Sequence, residues 1–344
     1  MYVILALFFT WLQSRYYKIA SQISPLDAAK LLYIFKIVKK YRLFCGAVNP
    51  KPLSRSNILF IINPISGGKD KLKIPDLIDQ KLDRSRFVAN YSFTEYAGHA
   101  SVIAEEAANK NFDVLVAVGG DGTINEVASK VMEYGKVLGI IPLGSGNGLA
   151  RFLDIPLKSA EALNVINNFN TKQIDTGEFN GRRFFNMAGM GFDAYISSVF
   201  AGNKSRGLKG YLQHGLKEVL GYKAQTYRIT VDDIVYIYKA YVVSIANSSQ
   251  YGNNAHIAPS ASVADGLLDV CIVKEFPMIK LPVLAYEMIA AKTDQSKMVK
   301  IIKGKNIHIE RVEEGPIHID GEPLFMGKEI KVSILPLSLN IIIP

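Results

Sequence analysis

The chain has 344 residues, 49% of them hydrophobic and 21% charged, with a formal net charge of +9. That length suggests about two domains, and the composition excludes a disordered chain. The excess of Lys and Arg suits an anionic partner, but no RRM, zinc-finger or helix-turn-helix pattern accompanies it, so nucleic acid is set aside and a membrane surface stays open.

The chain opens on MYVILALFFTWL, too short to span a bilayer and lacking the basic start and cleavage site of a secretory signal. Two readings stay open for it. It is a peripheral helix or a mis-assigned start, or it is an interfacial anchor with Trp11, Tyr16 and Tyr17 at headgroup level and KIVKKYR (36–42) facing anionic lipid. NPKPLSRSN (49–57) reads as a linker, so residues 1–56 are expected to be an apolar and basic extension. Cys45 and Cys271 form no CxxC pair, which points to a reducing, cytoplasmic compartment. The five histidines lack metal-ligand spacing and read as structural or exposed.

From residue 58 the pattern is regular. Strands are expected at 58–63, 87–93, 112–120 and 136–144, and helices at 73–82, 99–110 and 124–134. This alternation predicts an α/β domain with a doubly wound parallel sheet over 57–175, with ligands at the carboxyl ends of its strands. The second half reads as mainly antiparallel β over 176–344. Asn180-Gly181 and Asp232-Asp233 mark turns, strands are expected around 173–189, 227–247, 267–276, 297–320 and 329–344, and helices near 207–221 and 278–291.

Three glycine-rich loops follow strands in the first half: NPISGGK (63–69), GGDGT (119–123) and LGSGNGLAR (143–151). Such loops let backbone N–H groups approach phosphate oxygens, and a following helix N-terminus adds positive charge. Thr123 can add a hydroxyl donor. Asp121 repels phosphate, so it meets a bridging Mg²⁺ or acts on a proton. Neither Walker A nor GxGxxG is present.

NPISGG, GGDGTINEV and PLGSGNGLAR, followed by NMAGMGFDA (186–194), NSSQYGNNAHIAPSASVADGLLDV (247–270) and HIDGEP (318–323), resemble the diacylglycerol kinase and sphingosine kinase superfamily over roughly 57–344. The resemblance implies a lipid kinase with its active-site cleft between the α/β domain and a C-terminal β-sandwich. By position it implies Asn63, Gly67 and Gly68 in the nucleotide site. Gly119, Gly120, Asp121, Gly122 and Thr123 would hold phosphates and metal, with Gly144, Ser145, Gly146 and Asn147 as the remaining wall. It implies Asp320 as general base, Glu322 as its neighbouring carboxylate, and a structural Mg²⁺ at Asp265. Many bacterial members carry Asp where this chain has Gly148, so the third loop looks closer to the sphingosine and ceramide kinase form. GGDGT with Asn125-Glu126 looks more like the bacterial diacylglycerol group.

The expected activity is transfer of the γ-phosphate of Mg-ATP to the hydroxyl of diacylglycerol or a sphingoid-type lipid at an anionic membrane surface, with Asp320 accepting the proton. The basic stretch 204–217 is a second candidate for membrane contact. Two rivals stay open: an NAD kinase-like enzyme for a soluble hydroxyl, and a non-catalytic lipid-binding pseudo-kinase. A homodimer also stays open.

Overall fold

The computed structural model describes residues 55–68, 73–195 and 222–344. The chain divides into two units, Met1–Ser54 and Arg55–Pro344, and the described residues lie in the second. The apolar N-terminal run, the basic stretches 36–42 and 204–217 and the helix expected near 207–221 lie outside the described residues.

The first half alternates as its hydrophobic pattern predicts. β1 (Ser56–Ile62), α1 (Ile74–Lys81), β2 (Phe87–Phe93), α2 (His99–Ala108), β3 (Val114–Gly119), α3 (Asp121–Glu133) and β4 (Val137–Pro142) follow in order. α4 (Gly148–Phe152) and α5 (Ser159–Asn168) come next. The strands pair in parallel in the order β2-β1-β3-β4. Ile58–Ile62 and Val114–Val118 are buried throughout, as continuous apolar runs in a sheet covered on both faces should be. The winding reverses between β1 and β3, so the crevice for a ligand lies at the carboxyl ends of these two strands. α3 starts three residues earlier than its periodicity suggests, because the GGD turn runs straight into the helix.

The second half is antiparallel. Its strands are β5 (Asn170–Phe179), β6 (Arg182–Phe184), β7 (Met187–Gly191), β8 (Gln225–Val231), β9 (Ile234–Ala246), β10 (Gln250–Gly252), β11 (Ala255–His256) and β12 (Leu268–Lys274). A 3-10 turn at Met278–Lys280 leads into α6 (Leu281–Ile289). β13 (Val299–Gly304), β14 (Asn306–Arg311), β15 (Gly315–Ile319), β16 (Glu322–Met326) and β17 (Glu329–Ile343) complete the chain. Alternation places Leu268, Val270 and Ile272 of β12 in one core and Cys271 and Val273 in another, so the sheet is buried on both sides.

Two features tie the halves together. β5 runs through the expected boundary at 175/176, and β17 pairs with both β5 and, in parallel, β4. Val332 and Ile334 therefore lie in the sandwich core, whereas Leu339, Ile341 and Ile342 lie in the α/β core. Buried Asp175 fixes this crossing, accepting from Leu337 N–H and Gly266 N–H, each at 2.7 Å.

Four hairpins among the described residues turn on two residues with positive φ: Asn180-Gly181 (47° and 79°), Asp232-Asp233 (44° and 73°), Asn253-Asn254 (50° and 61°) and Asp320-Gly321 (48° and 85°). Turns of this mirror-image kind match the twist of paired strands. Asp320 thus sits at a turn apex between β15 and β16, with Ile319 opposite Glu322. The buried Arg311 guanidinium braces that hairpin, donating to the carbonyls of Gly315 (2.9 Å), Met326 (2.6 Å), Gly327 (3.1 Å) and Pro316 (3.4 Å). Lysine cannot reproduce this planar fork. Arg311→Lys should lower unfolding stability by about 3 kcal/mol in a urea titration, through stranded buried carbonyls.

Candidate active site

The three glycine loops meet one another at the carboxyl ends of β1, β3 and β4. A Cβ on Gly67 (φ 62°) would stand 1.9 Å from the Leu143 carbonyl oxygen, and one on Gly144 would stand 2.6 Å from the Gly120 Cα. A Cβ on Gly146 would stand 2.9 Å from Asp121 Oδ2, and one on Gly252, at the end of β10, would stand 3.2 Å from the Gly146 Cα. The glycines are therefore required for loop-to-loop contact, whatever they also offer a ligand.

Asn63 fastens the first loop to the second. Its Nδ2 donates to Thr123 Oγ1 at 3.0 Å and its Oδ1 accepts from Ile65 N–H at 3.1 Å. Thr123, whose hydroxyl the sequence offers as a phosphate donor, is buried with Gly119 packed on it, and its Oγ1 braces the loop from beneath by accepting from Asn63. Asn147 is likewise buried, at φ 54°, and closes its own loop by exchanging two hydrogen bonds with Gly144, at 2.9 and 2.8 Å. Gly67, Gly122 and Ser145 are the members of the predicted set that stand exposed on this surface.

Asp121 joins the second loop to the third. Oδ2 accepts from Asn147 N–H at 2.8 Å and Oδ1 from Gly148 N–H at 2.9 Å, capping α4. Burial pushes its carboxyl up from the ordinary range, and the two N–H donors oppose that rise. Each oxygen keeps a further lone pair, and Mg²⁺ is usually held by one or two carboxylates together with substrate phosphates. The Asp121 donor set therefore fits a metal delivered with a nucleotide. Gly148 has a local reason too. A Cβ there would lie 2.4 Å from Asn186 Nδ2, an amide held by the Gln250 carbonyl at 3.0 Å and by the Ser248 hydroxyl.

Across from these loops lies Asp320. Its carboxylate is buried and accepts four N–H bonds. Oδ1 takes Asn186 N–H (2.9 Å) and Met187 N–H (3.0 Å), and Oδ2 takes Phe185 N–H (2.9 Å) and Asn125 Nδ2 (2.7 Å). Burial raises its pKa above the ordinary range, against the lowering effect of these donors. Asn125 comes from α3, one turn beyond Asp121, so a single helix links the loop cluster to this carboxylate. Beside them opens a cleft of about 190 Å³ lined by Asn125, Ser129, Arg182, Arg183, Ile319, Glu322 and Leu324. Glu322 is exposed at its rim, and the Arg183 guanidinium is steadied by the Ser129 carbonyl at 3.2 Å. Asn125, Ser129 and the two arginines were absent from the residues the sequence singled out for the site. The helical spacing of 121, 125 and 129 carried a signal for two of them. His318, read from sequence as structural or exposed, is buried two residues from Asp320, with Nε2 3.0 Å from Asp193 Oδ2, which also accepts from the Tyr251 hydroxyl.

Asp265 differs from expectation. The Lys303 ammonium lies 3.0 Å from its Oδ2, donates to the Ser260 carbonyl at 3.2 Å, and stands 3.5 Å from buried Asp269. The Lys303 ammonium already supplies the positive charge at this carboxylate and takes the Ser260 carbonyl beside it. The donor set at Asp265 does not fit Mg²⁺.

Glycine loops that can hold phosphates, linked through one helix to a carboxylate that can accept a proton, are the arrangement of a kinase. Comparison with known proteins agrees. Residues 57–179 match the diacylglycerol kinase catalytic domain, and residues 186–343 match the YegS C-terminal NAD kinase beta sandwich-like domain. Diacylglycerol kinases of Staphylococcus aureus strains bovine RF122 / ET3-1 and MRSA252 are each 30% identical over 276 residues, covering 78% of this chain and 86% of theirs. A solved diacylglycerol kinase from Bacillus anthracis str. Sterne superposes with TM-score 0.67 at 24% identity, over 85% of this chain and 98% of that one. A second solved chain from that organism gives TM-score 0.70 at 26% identity with the same coverage. The chain belongs to the diacylglycerol kinase family and is an enzyme of the lipid kinase class.

Gly144→Ala forces the second and third loops apart. It should weaken binding of a non-hydrolysable ATP analogue about tenfold or more by calorimetry, the equivalent of an overpacking cost of about 1–3 kcal/mol. Burial lifts the Asp269 carboxyl to about 6 against an ordinary 3.8, with Lys303 opposing. The folded state thus holds this proton more tightly than the unfolded chain. Its contribution should favour folding at low pH and fade as pH rises through about 6. Asp269→Asn should flatten the plot of unfolding free energy against pH in that window.

Proposed function

We propose that this kinase transfers the γ-phosphate of ATP to the hydroxyl of a membrane lipid, diacylglycerol first among candidates, at an anionic membrane surface, with Asp320 as general base. The observation that carries this reading is the Asp320 carboxylate itself, buried, raised in pKa and held by four donors, one of which, Asn125, lines the cleft.

A carboxylate offers about four lone-pair sites, and all four are engaged here. Three donors are backbone N–H groups that fix its position. The fourth, the Asn125 amide, also lines the cleft. An incoming lipid hydroxyl takes the place of Asn125 at Oδ2 and passes its proton there as its oxygen bonds to the γ-phosphorus, while the bond from that phosphorus to the β–γ bridging oxygen breaks and ADP leaves. A raised pKa favours that transfer. The exposed backbone at Gly67 and Gly122, the Ser145 hydroxyl and the first N–H groups of α3 face the nucleotide phosphates. Asp121 would hold a Mg²⁺ delivered with the nucleotide, which would supply charge neutralisation. A cleft of about 190 Å³ is smaller than pockets that enclose whole ligands, so it takes the glycerol end and leaves acyl chains outside, as suits an acceptor held in a bilayer.

The relatives named diacylglycerol kinase favour that acceptor, and the local packing at Gly148 removes the main reason to prefer a sphingoid lipid. One observation favours a second reading. The C-terminal half matches a sandwich described as NAD kinase-like, so a soluble hydroxyl belongs among the acceptors tested.

Asp320→Asn should lower kcat on diacylglycerol in mixed micelles by about 10³-fold, within the usual range for a lost general base. It should also cost about 2 kcal/mol of stability, since its amide would face two N–H donors, while nucleotide binding persists. A variant with wild-type turnover rejects the assignment. Asn125→Ala removes a donor that holds the Asp320 pKa down, so the acid limb of its pH–rate profile should move to higher pH. That limb is read from kcat/KM, which reports the free enzyme, and an unmoved limb contradicts Asp320 as the titrating base.

A further inference from the structure

α6 is apolar on both of its faces. Leu284 is buried, and Leu281 and Met288 pack with it on the core that contains Met187, Ala246 and Cys271. The outer face carries Pro282, Val283, Ala285, Tyr286 and Ile289, and every exposed residue between 281 and 289 belongs to this uncharged set. Ile279, in the preceding 3-10 turn, extends the strip. Ile279 is 87% exposed, Val283 50%, Tyr286 62% and Ile289 70%. A helix apolar all round is ordinarily buried on all sides, so this outer strip calls for a covering.

The charges around the strip select the covering. Lys280 and Lys292 bracket the helix, and Lys297 and Lys300 follow, all exposed. Among the described residues none of these four has an ion-pair partner, whereas the nearby Glu275 is neutralised by Lys239 at 2.8 Å. Glu287 and Asp294 are the remaining carboxylates of residues 274–300. A strip about 14 Å long on a helix about 10 Å wide covers on the order of 150 Å², far short of the roughly 800 Å² per partner that a stable protein dimer buries. Apolar side chains at the centre, an aromatic hydroxyl and unpaired lysines at the margin form the pattern of an interfacial helix on anionic lipid.

We propose that the outer face of α6 docks this protein on an anionic bilayer, with Ile279, Val283, Tyr286 and Ile289 entering the headgroup region and the flanking lysines facing lipid phosphates. This rests on the lipid-kinase reading above, which places the acceptor in a bilayer. It also couples docking to the cleft, because α6 packs on the core holding Met187, whose N–H binds Asp320.

The test uses the full chain and an Ile279→Glu/Tyr286→Glu variant, both positions being exposed. Flotation with vesicles of phosphatidylcholine plus phosphatidylglycerol, without ATP, reads docking independently of turnover. The wild type should bind these vesicles more tightly than phosphatidylcholine alone, and the variant about tenfold more weakly. Transfer to a short-chain diacylglycerol dissolved below its aggregation limit should be unchanged. Variant flotation equal to wild type overturns the proposal, as does a wild-type dimer that the variant converts to monomer, which would make a second copy the occupant. If flotation is lost in the variant while the wild type phosphorylates no lipid, the docking surface stands and the acceptor reading falls.

Discussion

The structure depends on the Asp320 carboxylate and its four N–H donors. The donors come from two places: Asn125 on a helix of the α/β half, and the backbone of Phe185, Asn186 and Met187 where β6 passes into β7. An ionised carboxylate taken out of water is costly unless its lone pairs are filled, and here they are filled by groups from both halves. The carboxylate proposed to accept the proton is thus also a fastener between the two halves. That double duty explains its position at a turn with positive φ. The apex of a tight hairpin, braced from behind by Arg311, lets one side chain reach both halves.

A second constraint is close approach. The three glycine loops are packed on one another through glycine, and Asp121 accepts the two N–H groups that cap α4. Residues that read as ligands in sequence divide into those that build the cradle, such as Thr123, Asn147 and Asn63, and those left open on it, such as Gly67, Gly122 and Ser145. Loss of either kind would impair nucleotide binding, the first through collapse of loop geometry and the second through lost contacts.

Much of this was legible in the sequence. Buried parallel strands announce themselves as continuous apolar runs, and Asn180-Gly181 and Asp232-Asp233 mark hairpins because few residue pairs accept positive φ twice. The loops were legible because glycine has few other reasons to cluster at strand ends. α4, at five residues, is too short to show a period, and α5 was overlooked although Ala162, Leu163, Val165 and Ile166 form its buried stripe. The return of β17 to β4 left no local trace, since its alternation looks the same in either sheet. Nor could the sequence pair Asn125 with Asp320, or place Lys303 at Asp265, because both depend on contacts between distant segments. Asp265 is the instructive case. A motif that signals a metal carries no information about a lysine delivered from another strand.

The most direct test of the account is transfer of labelled γ-phosphate from Mg-ATP to diacylglycerol, a sphingoid base, ceramide and undecaprenol in mixed micelles, with NAD beside them. The account predicts label on a lipid hydroxyl, with diacylglycerol the best acceptor and NAD unlabelled. Label on NAD alone, or nucleotide binding with no label on any acceptor, would contradict it.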